Sequence, residues 1–316
     1  MNSNIKRVLV VGGAGYVGGA VTDELLEKKI PFTVFDSLVY EERYLKPVDF
    51  VYGDVRDKEL LKKILPEYSH VIWLAAIVGD GACSIHPEAA VEINELAPKW
   101  LSENFDGRII FTSTCSVYGH REEEATEEHD TAPVSLYGVT KVDAEKYLLK
   151  KNAVILRLGT AFGISDTFSR PRTDLMINTF ATNAAAKGKI MVFGGSQWRP
   201  NIHVRDIAKV IVSTLDSPLK GVYNVATQNF SVEEIAKKVQ AITGCDLQYA
   251  GQFREDKRNY RVSFAKALKD GVLTLPTDRD VEYGVREFVT LVKEKRMKNI
   301  GHSAYSNAKH LSQYSF

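Results

Sequence analysis

Tyr137 and Lys141 stand four residues apart in YGVTK, and Thr114, Cys115 and Ser116 lie together in TSTCSVYG, with Thr114 23 residues before Tyr137. Four-residue spacing puts two side chains on one face of a helix. A phenol with an ordinary pKa of about 10 is a poor base, but a nearby ammonium favours the phenolate. A hydroxyl such as that of Thr114 can hold a reacting oxygen beside it. Together these groups would take a proton from an alcohol and return it. Each also has a plainer reading on its own: a Tyr/Lys pair on a helix surface, small polar residues at a strand end, a packing thiol at Cys115.

A second constellation lies near the start of the chain. Gly12, Gly15 and Gly18 in GGAGYVG fall directly between the apolar run RVLVV and a helical pattern. Glycines there let the backbone turn tightly and approach a pyrophosphate, and the helix start supplies N–H donors and a positive dipole. The next strand ends in Asp36, 18 residues beyond Gly18. A carboxylate at that place accepts from the adenosine ribose hydroxyls and repels a 2′-phosphate, which predicts NAD rather than NADP. Asp54, in GDV after a third strand, can reach an adenine amino group or simply cap a turn or helix.

The elements that must carry these residues follow from the pattern. RVLVV, FTVF, DFVY, HVIWLAA, RIIFT and AVILRL are short apolar runs separated by helical stretches, among them YVGGAVTDELLEKK, DKELLKKIL, a helix opened by Pro87, and a long helix over 137–151. Continuous apolar strands alternating with helices predict an α/β fold with a parallel sheet buried on both faces. After about residue 160 the pattern loosens into smaller mixed α/β structure. It holds the strand KIMVF, the helix DIAKVIVSTL with Asp206 as its N-cap, and a capping box at Ser231–Glu234. Residues 299–316 read as a polar tail, frayed or loosely docked. The charge run REEEATEEHD reads as a solvated loop face.

Composition narrows the function classes. The chain has 316 residues, 41 basic against 40 acidic, for a formal net charge of +1. That balance gives no reason to expect a nucleic-acid or membrane partner. No apolar run is long enough for a membrane span. MNSNIKRVLVVGG runs straight into a strand and a glycine loop without a leader-like core, so no secretory signal is expected. Three widely spaced cysteines suit neither a disulfide framework nor a zinc site, and point to a reducing cytoplasm. No metal-ligand spacing is present.

In ordered sequence the motifs resemble the extended short-chain dehydrogenases/reductases, and among them the NAD-dependent sugar-nucleotide epimerases and dehydratases. The likeness runs from about residue 5 to 270 and includes GGAGYVG, Asp36 in FDSL, GDV, LAA, Asn94, STCSVYG, YxxxK, LRLGTAFG and RPNIHVRD. It implies a Rossmann-type doubly wound parallel sheet over 1–160 as the NAD-binding domain, a smaller mixed α/β substrate domain mainly over 161–298 with 199–226 returning to the first, and a nucleoside-diphosphate sugar bound in the cleft between them. The implied catalytic set is Thr114, Tyr137 and Lys141. The implied cofactor contacts are Gly12, Gly15, Tyr16, Val17, Asp36 and Ser37 on the first half of the sheet. Asp54, Val55, Leu74, Ala75, Ala76 and Asn94 follow, with Tyr137 and Lys141 at the nicotinamide. The implied substrate contacts are Thr114, Cys115, Thr160, Asn178, Arg199 and Arg258. Arginines suit a diphosphate because their planar fork donates twice. The resemblance also implies a homodimer through a four-helix interface made by the helices around Val91–Trp100 and Tyr137–Lys150.

The expected reaction is oxidation and re-reduction of the sugar at C4, as an epimerase with a transient keto intermediate. A 4-dehydrogenase or 4-ketoreductase would use the same residues. A 4,6-dehydratase is disfavoured, because Cys115 and Ser116 stand where such enzymes place a carboxylate pair or another acid/base set. A catalytically silent NAD-binding regulator would be expected to lack the Tyr/Lys pair.

Overall fold

The computed structural model describes residues 6–250, 258–297 and 299–316. Its centre is a seven-stranded parallel sheet in the order Gly221–Val225, Ala153–Leu158, Arg108–Thr114, His70–Trp73, Val8–Val11, Phe32–Asp36, Asp49–Tyr52. Val8–Val11 is paired on one side with Phe32–Phe35 and on the other with His70–Trp73. The chain builds outward from Val8–Val11 in one direction, then returns and builds in the other. The reversal leaves a crevice beyond the carboxyl ends of these strands, where open α/β sheets bind ligands.

Alternate residues of the strands enter two cores. Leu9, Val11, Val71, Trp73, Ile109 and Phe111 pack on one face with Leu61, Leu101, Ala144 and Leu148. Val8, Val10, Ile72, Ile110 and Val154 pack on the other, with Val21 and Leu25 from helix Tyr16–Glu27 and Ile207 and Ile211 from helix Val204–Ser213. Burial on both faces is why these strands read as unbroken apolar runs.

A third core lies beside the sheet, formed by helices Met176–Lys187, Val232–Thr243 and Val281–Lys293 around Phe162, Ile177, Ile235, Val285 and Phe288. Small sheets flank it: Gln228–Ser231 with Trp198–His203 and Thr160–Phe162, and Asp246–Ala250 with Lys189–Phe193. The stretch 199–226 divides. Arg199 to His203 lies in the three-stranded sheet, whereas Val204–Ser213 packs on Tyr16–Glu27 and Gly221–Val225 forms the edge of the large sheet. The capping box has both reciprocal bonds, Ser231 Oγ accepting from Glu234 N at 3.2 Å and Glu234 Oε2 from Ser231 N at 2.8 Å.

Three local expectations fail. The N-cap of Val204–Ser213 is His203, whose Nδ1 accepts from Arg205 N at 3.2 Å. Asp206 lies inside the first turn and bonds Thr277 and Arg279 instead. His120–Ala125, the start of the charge run, is a strand paired with Asn259–Val262. Only Ala125 of its six residues is buried, so no apolar alternation marked it.

The tail is also ordered against the fold. Helix Asn307–Leu311 buries Leu311 completely in the first core. Asn307 N donates to Asp174 at 2.7 Å, and its amide donates to Val78 O at 3.0 Å. His86 Nε2 donates to Leu311 O and His310 Nε2 to Val39 O, each at 2.7 Å. Leu311→Ala is expected to lower unfolding free energy by about 2–5 kcal/mol, the range for emptying a buried leucine site. Equilibrium denaturation would read this, and a loss within about 0.5 kcal/mol, the size seen at exposed positions, would show the tail is not part of the core.

Candidate active site

The crevice opens into a cavity of about 720 Å³. Gly12, Gly15, Tyr16, Val17, Asp36, Ser37, Asp54 and Val55 line one end, and Leu74, Ala75 and Ala76 continue the wall. Thr114, Ser116, Tyr137, Lys141 and Thr160 line the other end, and Gln197, Arg199, Arg258 and Tyr260 arrive from the second unit.

At the glycine end, helix Tyr16–Glu27 begins with Gly15 as N-cap, no side chain capping it and no acidic residue in its first turn. Its first N–H groups and positive dipole therefore suit an anion. Asp36 Oδ2 accepts from Ala14 N at 2.9 Å and Oδ1 from Leu38 N at 2.8 Å. Burial raises the Asp36 pKa, against the pull of these donors. Asp54 is desolvated as well, but hydrogen bonds from Arg56, at 2.8 Å to Oδ2, bring it net below the usual carboxylate value. An uncapped helix start beside a carboxylate at a strand end fits the pyrophosphate and ribose of NAD.

At the other end, helix Leu136–Leu148 carries Tyr137 and Lys141, with Ser135 as its cap. A buried ion pair fixes this helix to the sheet: Arg157 Nη2 lies 2.7 Å from Glu145 Oε2, and Arg157 Nη1 donates to Tyr118 Oη at 2.9 Å. Lys141 Nζ donates to Thr112 O at 2.8 Å and lies 4.6 Å from the centre of the Phe111 ring. Burial lowers its pKa to about 8. Thr114 lines the same cavity as Tyr137, and its Oγ1 accepts from Ser116 N at 3.1 Å.

The expected lowering of the Tyr137 pKa is not met by the chain's own side chains. Burial pushes the phenol up, Cys83 and Asp80 add to this, and the nearby Thr114 hydroxyl opposes it only in part. The surroundings that desolvate the phenol also desolvate Lys141, so burial acts against the charged form of each.

Three of the expected contact residues do not reach the cavity wall. Cys115 is buried in a small core, and its Sγ donates to Arg157 O at 3.2 Å. Asn178 is fully buried, accepting from Gly163 N at 2.9 Å and donating to Arg172 O at 2.8 Å. Asn94 sits in a π-helical segment, Glu92–Leu96, and brackets Ile77 by accepting from its N at 2.8 Å and donating to its O at 2.9 Å. All three shape the wall from behind. The cavity instead exposes Ser116, whose Oγ is 3.1 Å from Tyr260 Oη. The strand ends at Thr114 and Cys115–Tyr118 is one short 3-10 turn, so which of Cys115 and Ser116 meets the cavity is set by that turn and had no signal in the local pattern. Asp80, Arg170, Arg172, Tyr260 and the tail residues Asn307 and Phe316 also line the cavity and carried no local motif. Arg258 is described, whereas Asp256 and Lys257 of the same stretch lie outside the described residues. Among the described residues, no group of three His, Cys, Asp or Glu side chains is placed to hold a metal ion.

The chain matches the family model described as the NAD dependent epimerase/dehydratase family over residues 8–226. It is similar to the UDP-glucose 4-epimerase of Lactobacillus helveticus, 27% identical over 285 residues, covering 77% of this chain and 83% of that protein. It is also similar to the UDP-glucose 4-epimerase of Rhizobium meliloti (strain 1021), 27% identical over 307 residues, with 87% and 89% covered. Among solved structures, the UDP-glucose 4-epimerase of Thermus thermophilus in complex with NAD superimposes with a TM-score of 0.78 at 25% identity, over 89% of this chain and 98% of that one. With the glycine end and the Tyr/Lys/Thr end facing one cavity, the match over most of the chain has a plain meaning: this protein belongs to the NAD dependent epimerase/dehydratase family.

Proposed function

We propose that the protein is an NAD-dependent epimerase of a nucleoside-diphosphate sugar, acting at C4 through a transient keto sugar. The observation that carries this reading is that Thr114, Tyr137 and Lys141 share one cavity with the glycine-loop end and with Arg199 and Arg258. Bound NAD supplies reversible hydride acceptance. Gly12, Gly15, Asp36 and Ser37 would hold its adenosine and pyrophosphate part. Tyr137 takes the proton of the C4 hydroxyl and later returns it. Thr114 holds that oxygen beside the phenol. Lys141, anchored on Thr112 O, supplies a nearby donor whose charge and that of the cofactor ring would oppose the burial that raises Tyr137. Thr160, Arg199 and Arg258 are our assignment for the sugar and its diphosphate.

Two observations separate this from the neighbouring reactions. Dehydration needs further acid/base groups after Thr114, but Cys115 faces Arg157 O and Ser116 faces Tyr260. Net dehydrogenation needs the cofactor to exchange, whereas Ser306, Asn307, Ala308 and Phe316 of the anchored tail form part of the cavity wall. A retained cofactor suits epimerisation. The three cysteines are all free and buried, which suits our assignment to the cytoplasm. Among the described residues, no helix is long and apolar enough to cross a membrane.

Tyr137→Phe is expected to bind NAD as the parent does and to lose at least about 10²-fold in turnover, the lower bound for removing an acid/base group. Incubation with UDP-, GDP-, CDP- and dTDP-sugars, followed by NMR of the sugar and NADH absorbance, reads this. Near-parent turnover in that variant would sink the role given to Tyr137. Lys141 gives a pH prediction. Its folded pKa of about 8 lies below that of an unfolded lysine, about 10.4, so the unfolded chain binds more protons between those values and stability from this group rises with pH there. Lys141→Met should remove that rise, leaving a difference in denaturation profiles from the parent confined to that window. A homodimer is proposed through the helices carrying Leu96 and Val139, which are 42% and 40% exposed. Sedimentation of the parent and of a Leu96→Glu, Val139→Glu variant should give dimer and monomer. A monomeric parent would overturn the interface.

A further inference from the structure

The tail fastens onto both banks of the crevice. Asn307, His310 and Leu311 are three and four residues apart, so they share one face of helix Asn307–Leu311. Leu311 fills the first core. Asn307 donates to Val78 O at 3.0 Å, in the loop after strand His70–Trp73. His310 donates to Val39 O at 2.7 Å, in the loop after strand Phe32–Asp36. These two strands flank Val8–Val11, whose end carries the glycine loop. One helical turn therefore joins the loops on either side of it. Arg170, which itself lines the cavity, donates to Ala304 O and to the Asn307 side-chain oxygen, and lies 4.2 Å from the centre of the Tyr40 ring. Past the helix, Phe316 also lines the cavity. Its ring centre is 5.4 Å from the Arg56 guanidinium, which holds Asp54 Oδ2 at 2.8 Å.

NAD held by Gly12, Gly15, Asp36 and Ser37 lies on the end of Val8–Val11, between the two joined loops. Its outward side then meets Ser306, Asn307 and Ala308, and its adenine end meets Phe316, all of them cavity-lining residues. The tail is thus a roof at the place where the cofactor must pass to leave. Its fastenings can be undone. Among the described residues of the tail, Leu311 is the one apolar side chain that is fully buried. The ties to Val39 and Val78 are single hydrogen bonds to backbone carbonyls, each of modest net strength because water can replace it.

We propose that the tail is a clasp on the cofactor: residues 304–316 close the crevice over the pyrophosphate and adenosine of NAD, and the cofactor enters and leaves only when helix Asn307–Leu311 lifts from the Val39 and Val78 loops. The clasp rests on the placement of NAD at the glycine end and does not depend on which sugar is bound. It deepens the epimerase reading by naming what keeps the cofactor in place between turnovers.

Exchange of the bound cofactor tests it. The full-length protein is loaded with isotope-labelled NAD, chased with excess unlabelled NAD, desalted at intervals and assayed for retained label by mass spectrometry. Two variants move the clasp in opposite directions. Asn307→Ala, His310→Ala removes both fastenings and leaves Leu311 in place. Gly81→Cys, Ala308→Cys pins the tail by a disulfide. A Cβ at Gly81 lies 3.4 Å from the Ala308 methyl, close to the roughly 3.5–4.5 Å between the Cβ atoms of a disulfide. The three cysteines of the parent are buried and stay out of that reaction. Release is expected to be at least about tenfold faster than the parent in the first variant, and at least about tenfold slower in the oxidised second variant than after its reduction, the scale of two hydrogen bonds acting together. Melting curves separate loss of the fold from loss of the clasp, and the pinned variant decides where the weakened one is unstable. Equal release from the oxidised and reduced forms overturns the proposal. So does parent-like release from a folded first variant, or failure of the two introduced thiols to join. If the parent binds no NAD at all, the proposal and the cofactor placement fall together. If the clasp governs release but no nucleotide sugar is converted, the epimerase reading alone falls.

Discussion

The geometry of the cavity depends on one crowded place, where Val11 ends its strand. Leu74 N and Ala75 N both donate to Val11 O, at 2.8 and 3.0 Å. Gly12 follows at φ +86°, and a Cβ there would lie 2.5 Å from Ala75 N. Two chain segments thus meet backbone to backbone at the point where the strand order reverses. The contact requires glycine for both its conformation and its lack of a side chain. It brings the start of helix Tyr16–Glu27 next to the LAA wall, and so sets where an anion and a flat ring can lie relative to each other. Lys46 braces the same region from behind: its Nζ pairs with Asp166 at 2.8 Å and donates to Gly19 O at 2.9 Å, tying the loop of the second unit to the glycine helix.

The catalytic end works under a different constraint, desolvation. Burial raises Tyr137 and lowers Lys141 to about 8, so the free protein holds the phenol neutral while the ammonium stays mostly protonated at neutral pH. That poise is chemically useful only where added positive charge shifts the phenol toward release of its proton. A preorganised, largely dry site makes such a charge count for more than it would in water. The Glu145–Arg157 pair keeps the helix in place while this happens, because separating a buried pair leaves a charge without compensation.

What was legible in the sequence was what is encoded locally. RVLVV, HVIWLAA and AVILRL are apolar throughout because each strand is covered on both sides, and the glycine triplet and Tyr/Lys spacing need only neighbours in sequence. What was not legible depends on distant segments meeting. Ser116 becomes a cavity residue because Tyr260, 144 positions away, stands against it. Cys115, one residue earlier, is turned into the core by the same backbone. Asn94 and Asn178 carry the right chemistry for a ligand, but nearby backbone groups at Ile77, Gly163 and Arg172 claim it. The strand His120–Ala125 escaped notice because its pairing buries backbone rather than side chains. The tail looked polar because its anchoring relies on few apolar groups, Leu311 above all, and on hydrogen bonds that composition does not reveal.

The tail also bears on the cavity through the segment that carries Asp80. Ala308 lies so close to Gly81 that a Cβ there would be 3.4 Å from the Ala308 methyl. His86, just past the end of the same short helix, holds Leu311 O, and its ring meets Phe316 edge-on with centres 5.1 Å apart. Asn307 reaches Val78 O on the near side of Gly79. The segment from Val78 to His86 is therefore gripped at both ends by the tail. A six-residue helix after a glycine has little stability of its own. Its place beside Arg258 is set by packing from a part of the chain more than 200 residues further on. The tail is thereby part of the cavity's architecture: it fixes the wall that Val78 to Ala82 form and adds Ser306, Asn307, Ala308 and Phe316 to it.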